Sequence, residues 1–159
     1  MKITLITVGK LKEGFFRDGC EEYIKRLQSY CKIEVVELPD EAAPTSPSQK
    51  QIEAIQNKEG EKIIAKLVPG AYVCAFDGRG KEYDSVAFSE FIDKGLTLGG
   101  AHMMFIIGGS FGLSEEVRSR CVSLISFGKM TFPHNLARLM ALEQIYRAFK
   151  ISKHEPYHK

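Results

Sequence analysis

At 159 residues, 44% hydrophobic and 26% charged, the chain can bury a core without disulfide or metal staples, and its composition excludes disordered and collagen-like proteins. Its net charge of +2 neither demands nor excludes nucleic acid, and no apolar run reaches about 18 residues, so nothing is expected to span a membrane. The four cysteines (Cys20, Cys31, Cys74, Cys121) are far apart and form no C-x-x-C pair, which argues against a metal site or a disulfide framework and, with no signal-peptide pattern at the start, predicts a reducing, cytoplasmic setting.

Ile3 to Val8 is a short β-branched run closed by Gly9, a buried strand by length and composition. Phe16, Cys20, Tyr23, Ile24, Leu27 and Cys31 recur at helical spacing and predict a helix from about Gly14 to Tyr30. Ile33 to Leu38 reads as a second strand, and Glu41 to Pro47 as a loop. Ser48 with Gln51 fits a capping box. It opens a helix presenting Ile52, Ile55, Ile63 and Leu67, which Gly60 is expected to weaken or bend. Ala71 to Phe76 is a third strand, followed by an ordinary glycine turn, Asp77-Gly78-Arg79-Gly80. Ser85 is the expected cap of a helix carrying Phe88, Phe91 and Ile92. Met103 to Ile107 is a fourth strand running into Gly108-Gly109-Ser110-Phe111-Gly112, after which Ser114 caps a short helix with Glu115 and Glu116 in its first turn. Val122 to Phe127 is a fifth strand, and Leu136, Leu139, Met140, Leu142, Ile145, Tyr146 and Phe149 line a closing helix. Five alternations of strand and helix, with no repeat and no internal boundary, predict one α/β domain over 1–159 with a mainly parallel sheet flanked by helices.

Ligand sites in such sheets lie beyond the carboxyl ends of the strands. The Gly108–Gly112 cluster occupies such a place but is neither a dinucleotide fingerprint nor a P-loop; it reads either as a tight turn needing positive φ or as a ligand loop. The stretch Gly128-Lys129-Met130-Thr131-Phe132 mixes apolar and polar residues, as a loop partly buried or covering an apolar ligand does. Charge gathers at the same end: from Lys129 onward six Lys/Arg stand against two Asp/Glu, +4, while the first 128 residues hold 16 against 18, −2. His154, Tyr157 and His158 close the chain, as a solvated tail or a functional one. Arg138 and Arg147, nine residues apart, fall on opposite faces of an ideal helix, one toward a ligand or partner and the other toward solvent. No Ser-His-Asp order, H-E-x-x-H or paired-carboxylate motif suggests a hydrolase.

An ordered set of segments carries more. Phe105-Ile106-Ile107-Gly108-Gly109, Gly112-Leu113-Ser114, Phe132-Pro133-His134, Glu143-Gln144-Ile145-Tyr146-Arg147-Ala148 and the ending Pro156-Tyr157-His158-Lys159 resemble the RlmH (YbeA-type) family of small SPOUT-class methyltransferases, over the whole chain. One loop departs from the family pattern: Ser110-Phe111 stands where many members have Pro-Glu. The resemblance implies an α/β fold with a C-terminal trefoil knot, a homodimer, and S-adenosylmethionine held by Phe76, Gly108, Phe127, Gly128, Lys129, Met130, Thr131 and Phe132. It further implies methylation of N3 of a pseudouridine in a large-subunit (23S) ribosomal RNA stem-loop on the assembled ribosome. The tail, completed by the dimer partner, would form the substrate site, with His154 or His158 as general base, Arg147, Lys153 and Lys159 on phosphate or base carbonyls, and Tyr157 stacked on the target base. The competing readings are a SPOUT enzyme acting on transfer RNA, a non-catalytic RNA- or adenosine-binding module, and a flavodoxin-like regulatory domain.

Overall fold

The computed structural model describes residues 1–159. Five strands, β1 (Lys2–Val8), β2 (Lys32–Leu38), β3 (Tyr72–Glu82), β4 (His102–Ile107) and β5 (Ser123–Ser126), form one sheet in the order β2-β1-β4-β3-β5, with every neighbouring pair parallel. The helices are α1 (Gly14–Leu27), α2 (Gln49–Ile64), α3 (Ser85–Leu98), α4 (Glu115–Arg120) and α5 (His134–Ser152). The order differs from the flavodoxin-like 2-1-3-4-5, because the chain jumps from β2 across the sheet to β3, steps back to β4 and goes out again to β5. Moves in opposite directions put their helices on opposite faces if the crossovers share one hand. Period-two alternation displays the result. Ile3, Leu5, Cys74, Phe76, Met103, Phe105 and Ile107 pack with Cys20, Phe88 and Ile92 of α1 and α3, and with Leu142, Ile145 and Phe149 of α5. Ile6, Val8, Val73, Ala75, Met104 and Ile106 face Ile63 of α2 and Val117 of α4. Phe105 has no exposed surface, and its truncation to Ala would cost about 3–5 kcal/mol.

Local signals set most element starts. Gln51 N donates to Ser48 Oγ (3.2 Å) and Ser48 N to Gln51 Oε1 (2.8 Å), closing the expected capping box, and Ser114 Oγ accepts from Val117 N (3.2 Å). Several expectations need correction. The cap of α3 is Asp84, whose carboxylate accepts from Ala87 N (2.7 Å), rather than Ser85. Helix α1 stops at Leu27, leaving Tyr30 in the turn before β2, and α2 stops short of Leu67. At Gly60 α2 runs on without a break, and the glycine has a packing reason: it is buried where α4 crosses, and a Cβ there would stand 2.6 Å from Ser114 Oγ. Asp77–Gly80 is not a free turn but the irregular middle of β3, because Lys81 and Glu82 pair with β5 after a shift in register. The fifth strand is shorter than its apolar run, Ser123–Ser126. No helix is long and apolar enough to cross a membrane.

Candidate functional site

The carboxyl ends of β3, β4 and β5 meet at one place. Phe76 is in register with Ile107 on one side and Ile125 on the other, so Gly108 and Phe127 fall beside it. The Phe127 ring stacks on Phe76 with centroids 4.6 Å apart and planes 3° apart, and Phe132 meets Phe127 edge-on at 6.4 Å. Around them lies a cavity of about 930 Å³ that all eight residues expected to bind the cofactor help to line: Phe76, Gly108, and Phe127 through Phe132. Two glycines make the shape. A Cβ on Gly108 would stand 2.9 Å from Leu113 Cδ2 and 3.0 Å from the Gly112 carbonyl carbon. Gly128 takes φ +126°, a conformation nearly closed to L side chains, fixed by Ser126, whose Oγ accepts from Gly128 N (3.1 Å) and donates to Gly128 O (3.0 Å). In the Gly108–Gly112 cluster only Gly112 has positive φ.

From Lys129 to Phe132 no backbone N–H or C=O takes part in an intramolecular hydrogen bond. Lys129, Met130 and Thr131 are exposed, Met130 by 78%. The loop therefore offers a run of open donors and acceptors beside aromatic faces, the combination that a purine edge and ring require.

Sequence reasoning missed other groups in the same cavity. Asp77, 6% exposed at its side chain, accepts from Arg118 Nε at 2.7 Å, and Glu115 bridges Arg118 to Arg79. The signal was the acid directly after the third strand's apolar run. His134, first residue of α5, lines the cavity too; burial, and then the Arg138 guanidinium, hold its imidazole below the ordinary value. Glu59, 4% exposed, lies behind Gly109 with one oxygen accepting from Glu41 N (3.0 Å) and the other without a partner, and its burial raises its carboxyl. Arg138 corrects another expectation. It faces neither ligand nor solvent but is 3% exposed, donating to Gly9 O (2.9 Å) and to the Glu37 carboxylate, so the start of α5 is tied to the ends of β1 and β2.

Arg147 and Tyr157 are gathered by Glu143, a residue of a segment that carries the resemblance but was given no role of its own, and His158 joins them through Arg147. Its Oε1 accepts from Arg147 Nη2 (2.6 Å) and Tyr157 Oη (3.0 Å). The Arg147 guanidinium lies 4.7 Å from the Tyr157 ring centroid and 3.3 Å from His158 Nδ1, and the Tyr157 ring meets Tyr146 edge-on at 4.9 Å. One side of Tyr157 is thus occupied from within the chain. Burial, then hydrogen bonding to Tyr23 and Glu143, pushes its phenol well above the ordinary range. A guanidinium only donates, so His158 Nδ1 accepts and its proton resides on Nε2 when the ring is neutral. His154 is exposed, makes no side-chain hydrogen bond, and has φ +55°. It sits just beyond the far end of α5, whose rise from His134 at the cavity to Ser152 is about 27 Å. The cavity and the tail's outer histidine are therefore well apart within one chain. Between them lies a second cavity of about 890 Å³, lined by Tyr83, Val86, Leu139, Met140, Glu143 and His158 among others and sharing the Phe76–Phe127 wall with the first.

Known proteins resemble this chain throughout. The family described as "Predicted SPOUT methyltransferase" matches residues 1–158. Ribosomal RNA large subunit methyltransferase H of Clostridium acetobutylicum is 52% identical over 159 residues, covering all of both chains, and the protein of that name from Carboxydothermus hydrogenoformans is 49% identical with the same coverage. The solved structure of a probable methylase family protein from Haemophilus influenzae Rd KW20 has a TM-score of 0.51 at 12% identity, covering 99% of this chain and 70% of that one, a likeness of fold alone.

Proposed function

The chain belongs to the SPOUT methyltransferase family, and from that premise we propose that it methylates N3 of a pseudouridine in a 23S ribosomal RNA stem-loop on the assembled ribosome, using S-adenosylmethionine, as a cytoplasmic homodimer. The observation that carries the reading is the cavity at three parallel strand ends, where the open backbone of Lys129–Phe132 lies beside the Phe76–Phe127 stack. The residues fit the cofactor: backbone groups for the adenine edge, aromatic and Met130 surface for its faces, and glycines where the chain must approach closely. The relatives' names support a large-subunit ribosomal RNA as substrate. The implied trefoil knot belongs to the same proposal. In its support, residues 127–133 carry the chain from the edge strand β5 to an α5 whose first turns touch Gly9 at the end of β1.

The bound cofactor supplies a sulfonium methyl already activated toward nucleophiles. The chain's tasks are to hold N3 in line, a contribution of up to about 7–11 kcal/mol, and to take its proton, worth about 10²–10⁴ in rate. Arg147, pinned by Glu143, presents a fixed cation to phosphate or a base carbonyl. His154 is the proposed base, since both of its nitrogens are free while His158 Nδ1 is engaged. Its distance from its own chain's cavity favours delivery to the partner's, which makes the homodimer part of the mechanism.

The test is transfer of labelled methyl to ribosomes lacking the modification, beside naked ribosomal RNA and transfer RNA. Label on ribosomes alone, mapped to one pseudouridine, is the expected result. Label on transfer RNA alone would move the substrate to that RNA, and cofactor binding without transfer to any of them would favour a non-catalytic binding module.

A further inference from the structure

We propose that Tyr30, in the turn after α1, is a positioning residue for methyl transfer: through Glu155 it fixes the reversal from which the catalytic tail returns along α5. The inference rests on the reading above that the tail acts on substrate. Tyr30 Oη donates to Glu155 Oε2 across 125 residues of sequence. Lys150 Nζ donates to the same oxygen at 2.7 Å and lies over the Tyr30 and Tyr146 rings, 5.4 and 5.6 Å from their centroids. Tyr30 is itself anchored, its ring stacked on Phe149 at 5.8 Å and edge-on to Tyr146 at 6.0 Å, with its N–H donating to Leu27 O at 2.9 Å.

What this latch holds is a bend the chain does not favour. His154 stands at positive φ, uncommon for any residue with a side chain. Beyond it Glu155 N turns back to donate to Lys150 O (2.9 Å), and the segment reaches Glu143 and Arg147 with Tyr157 and His158. The last turn of α5 supplies the Lys150 ammonium to Glu155 and two backbone bonds, Lys153 N to Phe149 O and His154 N to Ile151 O. The one side-chain tie from another element to residues 153–156 is Tyr30 on Glu155. Without it Glu155 is held only by Lys150 of its own helix, through the ammonium and the backbone carbonyl, and the direction in which His154 projects is no longer fixed from another element.

Tyr30→Phe removes the hydroxyl and keeps the ring, so packing on Phe149 and Tyr146 survives. Expected is a fall in kcat of about tenfold or more, S-adenosylmethionine affinity within twofold of wild type, an unchanged melting temperature, and faster amide exchange at His154 and Glu155. Glu155→Gln, which still accepts from Tyr30, should retain more kcat than Glu155→Ala. A Tyr30→Phe kcat within twofold of wild type overturns the proposal, as does a kcat loss matched by equal losses in cofactor affinity and melting temperature. A His154→Ala/His158→Ala double variant in the same assay separates the two layers. If it keeps turnover, the tail reading fails and the latch with it; if it loses turnover while Tyr30→Phe does not, only the latch fails.

Discussion

The strand-end cavity and the C-terminal tail are built on opposite plans. In the cavity the loop from Lys129 to Phe132 leaves its backbone groups open and three of its side chains exposed, while the shape is set by Gly108 and Gly128. In the tail, the polar side chains of Arg147, Glu155 and Tyr157 are spoken for by named partners, and His154 is left free. A backbone-built site tolerates side-chain changes and resists an added Cβ; a side-chain-built site does the reverse. On the proposed function the difference divides the labour: the first plan suits holding an invariant cofactor, the second aiming groups at a substrate.

The largest effect that would sharpen this contrast is at Gly108. Gly108→Val forces branched carbon into Leu113 and the Gly112 carbonyl, an overpacking of about 1–3 kcal/mol, so calorimetry should show cofactor affinity lowered roughly 10- to 100-fold. Gly128→Ala meets no atom within 4 Å but must hold φ +126°, a strain of about 1–3 kcal/mol that should weaken the cofactor about tenfold. Lys129→Ala and Thr131→Ala should leave it within a few-fold. Equal losses for the alanines at 128, 129 and 131 would break the comparison.

Arg138 belongs to neither plan, and its variants should report on the frame. Glu37→Ala leaves a buried guanidinium with Gly9 O as its one partner and Nε already unpaired, a loss of about 1–3 kcal/mol in denaturant unfolding. The smallest effect concerns pH. His134 and His102 both have folded values held below the ordinary 6.5, first by burial. The unfolded chain then binds more protons than the folded one, so stability falls as pH drops through about 6.5. His134→Gln should flatten that slope between pH 7 and 5.5, and an unchanged slope would remove His134 from the account.

Much of this was legible in the sequence, for uneven reasons. The parallel α/β class followed from alternating periodicity, and capping chemistry placed α2 and α4 but missed Asp84. The family resemblance, rather than any local pattern, named the eight residues that line the cavity. Asp77–Gly80 misled because glycine and aspartate signal a turn locally, whereas the pairing of Lys81 and Glu82 with β5 keeps them in a strand. Arg138 and Tyr30 escaped for one reason: their partners Glu37 and Glu155 lie 101 and 125 residues away, and contacts at that separation leave no periodicity to read. The sheet order was hidden likewise, since strand spacing does not show that β5 passes outside β3.

The most direct test of the division of labour is a chain ending at Ser152, titrated with S-adenosylmethionine and then assayed for methyl transfer to unmodified ribosomes. Cofactor affinity within about threefold of the full chain, with turnover reduced on the order of 10²–10⁴, is the predicted result. Turnover that survives the truncation, or cofactor binding lost along with it, would contradict the account.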